Sequence, residues 1–291
     1  MINITPEVFD PRRCELGEGI LWHPLRQQLF WFDINAKRLL SQRHDGEPLS
    51  WQFDEFYSAT GWIDEESLLL AGETGLWQFD IASGKKKLIC SLEADNPVTR
   101  SNDSRADPWG GFWVGTMGKQ AESKAGAIYR YYKGELRLLY SPITIPNAIC
   151  FSPDGLYGYF ADTLQNLVWR QSLEQANGWP DGNPEIFIDF RNLNIFPDGA
   201  VVDSQGNLWN AQFGGARVAC YNPQGKLVSE IRFPTSQITC PAFGGEDFNL
   251  LFATTATDHL SPDDLSHQPE AGKTFTVKST TRGQPEPQIK L

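Results

Sequence analysis

The repeating unit of the chain is clearest in the stretch Asn194-Ile-Phe-Pro-Asp-Gly-Ala-Val-Val-Asp-Ser-Gln-Gly-Asn-Leu-Trp-Asn-Ala-Gln212. This stretch predicts a loop, a short apolar strand at Ala200–Val202, a turn at Asp203–Asn207 and a second strand that begins at Leu208. Asp198 stands just before the first of these strands. The same order of loop, strand, turn and strand recurs along the chain, with other residues in the position of Asp198.

The copies of this unit are regularly spaced. Three further copies carry a polar side chain in the position of Asp198, namely Glu18, Asn102 and Asn147, and two weaker copies carry Thr60 and Pro241. The six positions are separated by 42, 42, 45, 51 and 43 residues. A period in the forties without helical periodicity is typical of β-propellers. The sequence therefore predicts an all-β fold, a six-bladed β-propeller with four-stranded antiparallel blades and almost no helix.

Segments outside the repeat have expected places in such a ring. Glu7–Phe9 predicts a strand that joins the last blade and closes the ring, which removes an exposed sheet edge. No linker interrupts the repeat, so residues 1–291 are expected to form a single domain. The polar segment Gly115–Gly126 is long for a hairpin loop and is a candidate lid over the channel. The tail after Arg282 is rich in Pro and Gln and is expected to be surface-bound or loosely ordered.

Composition limits the classes of partner. The formal net charge is −11, which argues against nucleic acid and anionic membranes because both require a positive field. No apolar run approaches membrane-spanning length. The cysteines are odd in number and lack C-x-x-C spacing, as expected for reduced thiols in a cytoplasmic protein. They are Cys14, Cys90, Cys150, Cys220 and Cys240.

Equivalent positions of a propeller face one central channel, so the polar residues of the repeat are expected to meet. Glu18 and Asp198 supply carboxylate oxygens, whereas Asn102 and Asn147 supply amide oxygens. Such oxygen donors suit a hard divalent ion, with calcium favoured over magnesium and manganese, although carboxylates also bind zinc. Alternatively, Asp and Asn before strands form turns and caps. Because like charges in an enclosed channel are unfavourable without a counter-ion, we favour a metal site of Glu18, Asn147 and Asp198.

Arg100 is expected to lie beside this site. It precedes Asn102 by two residues, so both side chains point the same way on an extended strand. The guanidinium is suited either to holding substrate oxygens or a developing oxyanion, or to balancing the acidic positions as an ion pair. Asp103 is expected on the opposite face of the strand, with a structural role.

The chain resembles the regucalcin/gluconolactonase (senescence marker protein) family over nearly its whole length. The resemblance rests on short motifs in a specific order: Gly17-Glu18 with Trp22, Arg100-x-Asn-Asp103 with Gly115-Thr-Met117, Pro146-Asn147, Pro197-Asp-Gly199 with Asp203-x-x-Gly206-x-Leu208-Trp209, and Gln268-Pro-Glu-Ala-Gly272. It implies a six-bladed propeller that binds one divalent metal ion in its channel and hydrolyses sugar lactones in carbohydrate metabolism.

The resemblance also implies residue roles. Glu18, Asn147 and Asp198 become metal ligands, Asp198 the general base, and Arg100 and Asn102 substrate contacts. A substrate-binding Glu of the regucalcin branch aligns with Gln120, two residues before Glu122, which indicates a bacterial-type sugar lactonase. The partner is expected to be a sugar lactone, and the chain a monomer or weak homo-oligomer. Two alternatives are a calcium-binding protein without lactonase activity and an esterase or organophosphate hydrolase on the same scaffold.

Overall fold

Strands account for nearly all regular secondary structure in the computed structural model, which describes residues 5–43 and 46–291. They form six sheets of four strands, and neighbouring strands within each sheet are antiparallel. The innermost strands of successive sheets contact one another, and the innermost strand of the last sheet contacts that of the first. This arrangement is a six-bladed β-propeller, which confirms the prediction from the repeat.

The strands are numbered along the chain and grouped by their position in a blade. The innermost strands are β2 (Gly17–His23), β6 (Tyr57–Trp62), β10 (Thr99–Ala106), β14 (Pro146–Phe151), β18 (Phe196–Val202) and β22 (Ile238–Gly244). The second strands are β3 (Gln28–Asp33), β7 (Ser67–Gly72), β11 (Phe112–Gly118), β15 (Tyr157–Asp162), β19 (Leu208–Phe213) and β23 (Leu250–Thr255). The third strands are β4 (Arg38–Arg43), β8 (Gly75–Asp80), β12 (Gly126–Tyr132), β16 (Leu167–Ser172), β20 (Arg217–Tyr221) and β24 (Thr274–Lys278). The outermost strands are β1 (Glu7–Asp10), β5 (Leu49–Gln52), β9 (Lys86–Ser91), β13 (Glu135–Ile143), β17 (Glu185–Asp189) and β21 (Leu227–Arg232).

Helix is confined to two short elements in the described ranges. The helix α1 (Pro262–His267) lies between β23 and β24, and a 3₁₀ helix (Thr163–Gln165) follows β15. Of the helices that the structure describes, none is long and apolar enough to cross a membrane.

The N-terminal strand closes the ring, as predicted. β1 pairs antiparallel with β24, and Val8 lies opposite Phe275. The last blade is thereby built from both ends of the chain, with the strand order β1-β24-β23-β22. Because this pairing covers the edge of β24, the last blade has the same four strands as the other five.

Aromatic side chains fill the spaces between blades. Trp22 of the first blade stacks on Phe252 of the last, with ring centroids 5.5 Å apart. Trp113 of the third blade meets Phe151 of the fourth edge-on at 5.3 Å. Trp113 is fully buried, and truncation of such a side chain typically costs about 3–5 kcal/mol of stability. This packing fixes each blade against its neighbour.

Every innermost strand contains a β-bulge near its beginning. The pairing register shifts between Glu18 and Leu21 in β2, and the other five innermost strands shift at the corresponding place: Tyr57/Ala59, Ser101/Ser104, Asn147/Cys150, Pro197/Ala200 and Ile238/Pro241. Bulges redirect side chains and are common next to active sites. Thr60 and Pro241 were predicted to be the equivalents of Asp198 in their blades, and this prediction was wrong. The bulges of these two blades lie earlier in the chain, at Ser58 and at Thr239-Cys240.

The innermost strands begin at the end of the channel where the second strands finish, and we refer to this end as the mouth. Thr99 at the start of β10, for example, lies opposite Gly118 at the end of β11. The predicted lid Gly115–Gly126 is shorter than its bounds suggest, because β11 continues to Gly118 and β12 begins at Gly126. Only residues 119–125 form a loop at the mouth.

The C-terminal tail, residues 279–291, crosses the opposite, far end of the channel. The amide of Ile289 donates to the carbonyl of Trp62 at 2.9 Å, and the amide of Lys290 donates to that of Gly110 at 2.9 Å. Ile289 is 2% exposed. Of the two predicted alternatives for the tail, surface-bound or loosely ordered, the structure agrees with the first, because backbone hydrogen bonds hold these residues to two blades.

Candidate active site

Four polar residues of the repeat lie buried at the mouth of the channel. Glu18, Asn102, Asn147 and Asp198 all lie next to or within the bulges of their strands. Each is exposed by no more than 7%. The bulges interrupt the alternation of side chains along each strand, and this local irregularity is how strands from four blades present polar groups to one channel.

The carboxyl groups of Glu18 and Asp198 influence each other electrostatically. Burial and the nearby charge of Asp103 raise the pKa of Glu18 to about 8. Burial and the charge of Glu18 raise the pKa of Asp198 well above its ordinary value. The amide of Gly19 donates to Oε2 of Glu18 at 3.0 Å. Two buried acids that resist ionisation in each other's presence form a site where an added cation would be stabilised.

A chain of hydrogen bonds joins the amide side chains to neighbouring blades. Nη1 of Arg100 donates to Oδ1 of Asn102 at 2.9 Å, and Nδ2 of Asn102 donates to Oδ1 of Asn147 at 3.2 Å. Nδ2 of Asn147 donates to Oγ1 of Thr163 at 2.8 Å, and Thr163 donates to the carbonyl of Pro197 at 2.7 Å. This chain fixes the orientation of both amides and connects blades three, four and five.

Thr163 was not predicted from the sequence. It begins the 3₁₀ helix after β15, and its hydroxyl lies between Asn147 and the residue preceding Asp198. The capping residue Asp162 was a possible signal, because its side chain accepts from the amide of Leu164. That signal identifies a helix start, but it does not reveal which distant side chain the hydroxyl of Thr163 contacts.

Arg100 is buried at the same site. Its hydrogen bonds to other described residues come from Nη1, which also donates to the carbonyl of Ser101 at 2.7 Å. Burial lowers the pKa of Arg100 to about 10, while the charges of Glu18 and Asp258 oppose this shift. The guanidinium therefore remains charged at neutral pH, consistent both with a substrate contact and with a balancing charge.

The predicted face of Asp103 was wrong, whereas its predicted structural role agrees with the hydrogen bond that it makes to the next blade. The bulge in β10 breaks the alternation that placed it on the opposite face, and Asp103 is 4% exposed. Its Oδ2 accepts from the amide of Ile149 in the next blade at 2.7 Å. Burial raises its pKa to about 6, opposed by the charge of Arg105. Asp103 thus contributes negative charge to the channel beneath Glu18 and Asp198.

Gln120 lies apart from this network. It is exposed in the loop 119–125 at the mouth, and its backbone amide donates to Oε2 of Glu122 at 3.0 Å. The loop follows β11, whose Met117 lies opposite Arg100. Gln120 therefore lies at the rim, three residues after Met117. Its role in substrate binding stays a prediction.

The donor set fits a divalent ion. Among the described residues, no group of three His, Cys, Asp or Glu side chains is suited to hold a metal, so a cation here needs a neutral donor besides two carboxylates. Asn147 carries such an oxygen. The charged residues that lie buried around the channel also fit: Glu18, Asp103, Asp198 and Glu286 are acidic, whereas Arg100 and Arg105 are basic. The two surplus negative charges would be balanced by one divalent cation.

Comparison with known proteins gives a consistent picture. Residues 16–257 match the model of the SMP-30/gluconolactonase/LRE-like region. The chain is 36% identical to an L-arabinolactonase of Azospirillum brasilense over 93% of this chain and 91% of that protein. It is 33% identical to a 6-deoxy-6-sulfogluconolactonase of Pseudomonas putida over 94% of both chains.

A solved structure is similar in both sequence and fold. The calcium-binding protein regucalcin of Agrobacterium tumefaciens is 38% identical, covers 99% of this chain and 98% of its own, and superposes with a TM-score of 0.97. The family match covers well over half of the chain, and the identities extend along nearly its full length. The chain belongs to the SMP-30/gluconolactonase/LRE-like family.

Proposed function

We propose that this protein hydrolyses a sugar lactone to the open sugar acid and that it requires a divalent metal ion, with calcium favoured. The observation that carries the proposal is the buried pair Glu18 and Asp198 at the channel mouth, where burial and the charge of Glu18 raise the pKa of Asp198. The lactonase relatives support the reaction class, and the calcium-binding relative supports the choice of ion.

Glu18, Asn147 and Asp198 are the residues proposed to hold the ion. When bound, the ion would supply Lewis-acid polarisation of the lactone carbonyl and a lowered pKa for water. Two hydrogen bonds orient the side chain of Asn147: its Nδ2 donates to Thr163 at 2.8 Å, and its Oδ1 accepts from Asn102 at 3.2 Å. The second lone pair of Oδ1 is then the one proposed to contact the ion. Glu18 is held from its own strand by the amide of Gly19.

Asp198 is proposed to accept the proton of the attacking water. Asp198 is buried at the same mouth as the other proposed ligands, and an ionised carboxylate at that position can accept a proton from a water beside it. The water adds to the lactone carbonyl carbon, and the ring C–O bond then breaks while Asp198 returns the proton to the leaving ring oxygen, which becomes the hydroxyl of the open sugar acid. Arg100 is proposed to donate hydrogen bonds to the oxyanion that develops at that carbonyl.

The polar character of the site indicates a polyhydroxylated substrate. Arg100 and Asn102 line it, and the exposed Gln120 lies at its rim. Such donors match the hydroxyl groups of a sugar ring, whereas an esterase for apolar substrates would need an apolar lining. We therefore favour a sugar lactone over a simple ester.

A second candidate is a calcium-binding protein without lactonase activity. The similarity to regucalcin, a calcium-binding protein, favours this candidate. The two candidates differ in turnover. A pH-indicator screen of pentono-, hexono- and aldarolactones, with and without a chelator, separates them. Our proposal expects acid release that stops in chelator and returns with calcium. Tight calcium binding with no turnover of any of these lactones would support the second candidate.

The variant Asp198→Ala tests the mechanism in the same assay. We expect it to retain the fold, which circular dichroism checks, and to lose most lactone hydrolysis. Hydrolysis at the wild-type rate by this variant would overturn the role assigned to Asp198.

A further inference from the structure

Arg105 occupies the channel below the bulges, and each nitrogen of its guanidinium has a different partner. Nε donates to the carbonyl of Ile149 at 3.1 Å, and Nη2 donates to the carbonyl of Ala200 at 3.2 Å. Nη1 forms an ion pair with Glu286 of the C-terminal tail. Arg105 and Glu286 are each 8% exposed or less. One planar group thus joins two other blades and the tail.

The strand carbonyls that Arg105 contacts lie immediately beside the proposed metal ligands. Ile149 follows Asn147 by two residues, and Ala200 follows Asp198 by two. Both carbonyls are at the bulges that present those ligands to the channel. Arg105 itself lies on β10, three residues after Asn102. Its hydrogen bonds therefore hold β10, β14 and β18 at a fixed distance from one another near the bulges. These three strands carry Asn102, Asn147 and Asp198, respectively.

The tail holds Arg105 from below. Besides Glu286, the tail residue Gln284 donates through Nε2 to the carbonyls of Phe151 at 2.9 Å and Val202 at 3.2 Å. These carbonyls end β14 and β18, the two strands that Arg105 also contacts. The tail and Arg105 consequently tie the same pair of strands together at two successive levels of the channel.

We propose that Arg105, anchored by Glu286 of the C-terminal tail, is a positioning residue that sets the spacing of Asn147 and Asp198 and thereby the affinity of the channel for a divalent ion. The inference rests on the proposed function for its metal site. It assigns to the C-terminal tail a role at the active site, although the tail lies at the opposite end of the channel.

An electrostatic explanation makes a different prediction from a positioning one. If Arg105 acted only through its charge, Arg105→Lys would leave ion affinity unchanged, because lysine retains the charge. If it acts through geometry, the same variant weakens binding, because a single ammonium cannot reproduce a three-nitrogen fork. Loss of a residue that orients metal ligands typically weakens affinity by about 10–100-fold.

The experiment is calorimetric titration of calcium into the full-length wild type, Arg105→Lys, Glu286→Gln and a control. The control is Asp107→Asn, which alters another buried ion pair of the same blade: Oδ2 of Asp107 accepts from Nε of Arg130 at 2.6 Å, and both side chains are 0% exposed. We expect the dissociation constant to rise about tenfold in Arg105→Lys and Glu286→Gln. The control should melt at a lower temperature with an unchanged dissociation constant.

The outcomes separate the two proposals. If the wild type binds no divalent ion, the metal site of the proposed function fails. If the wild type binds calcium and neither Arg105→Lys nor Glu286→Gln differs from it, the positioning role is overturned. Should Arg105→Lys fail to fold, Glu286→Asp decides, since it keeps the charge of the tail carboxylate but shortens its reach to Arg105: weaker calcium binding supports the positioning role, and unchanged binding overturns it.

Discussion

The two ends of the channel differ in whether their buried carboxyl groups have a basic partner. At the far end, the carboxylate of Glu286 meets the guanidinium of Arg105, and both groups have protein partners. At the mouth, the carboxyls of Glu18 and Asp198 face each other, and burial together with neighbouring acids raises the pKa of both. Arg100 lies nearby, but its hydrogen bonds from Nη1 go to Ser101 and Asn102.

This difference indicates which end performs chemistry. A buried carboxylate with its own guanidinium is satisfied within the fold and is suited to holding strands in place. A buried carboxylate pair that lacks such a partner is stable only when protonated or when a cation arrives. We therefore interpret the far end as structural and propose that a ligand binds at the mouth.

The largest expected effect is on Asp198 at the mouth. Asp198→Asn removes the proposed base and one negative ligand while keeping the size of the side chain. We expect kcat/KM for a lactone to fall by about 10³-fold, within the range of general-base catalysis. Steady-state kinetics at saturating calcium measures this, and a loss of less than about tenfold would contradict the role of Asp198.

The next effect concerns Arg100 and separates its two interpretations. Arg100→Met keeps the length of the side chain but removes the donors. If Arg100 stabilises the oxyanion, kcat should fall about 100-fold with a smaller change in KM. If it serves mainly as a balancing charge, the melting temperature and calcium affinity change while kcat stays near the wild-type value.

Stability without an ion should depend on pH in a defined direction. The pKa of Glu18 is raised by burial from 4.5 to about 8, so the folded state retains a proton that the unfolded state releases. The contribution of Glu18 to the stability of the ion-free protein should be complete below a pH of about 4.5. It should be lost as the pH rises toward about 8. A tenfold difference in proton affinity between the folded and unfolded states corresponds to about 1.4 kcal/mol of unfolding free energy.

Thermal melts in chelator across that pH interval measure the effect. Calcium should remove most of the slope, because it stabilises the ionised form. Glu18→Gln is the matched control and should flatten the slope without calcium. A wild-type melting temperature that is constant over the interval in chelator would show that Glu18 is not held as proposed.

The smallest effect is expected at the rim. Gln120→Ala removes one exposed hydrogen-bonding side chain, and such a bond contributes about 0.5–1.5 kcal/mol. We expect KM to rise a few-fold with kcat within about twofold. Glu122→Ala, changed separately, shows which of the two residues contacts the substrate, and no effect from Gln120→Ala would remove it from the site.

The ring and its closing strand could be predicted from the sequence because they depend on local patterns. Apolar runs separated by turns gave the period, and Glu7–Phe9 matched an apolar strand ahead of the first blade. Glu18 and Asp198 could be identified as buried acids because each recurs in the same position of a repeat. These features need only the spacing of residue types along the chain.

Features that depend on strand register could not be predicted. Asp103 faces the channel because a bulge interrupts alternation, and a bulge is defined by pairing with another strand. Thr60 and Pro241 were placed wrongly for the same reason. Thr163 and Arg105 act through backbone carbonyls of other blades, and Glu286 acts through the guanidinium of Arg105. No pattern of residue types records such contacts.

The most direct test is a crystal structure of the protein with calcium. Our account predicts one ion at the mouth, bound by oxygens of Glu18, Asn147 and Asp198 at about 2.3–2.6 Å, the usual range for calcium. An ion bound elsewhere in the channel, or a mouth that takes up no ion at saturating calcium, would contradict it.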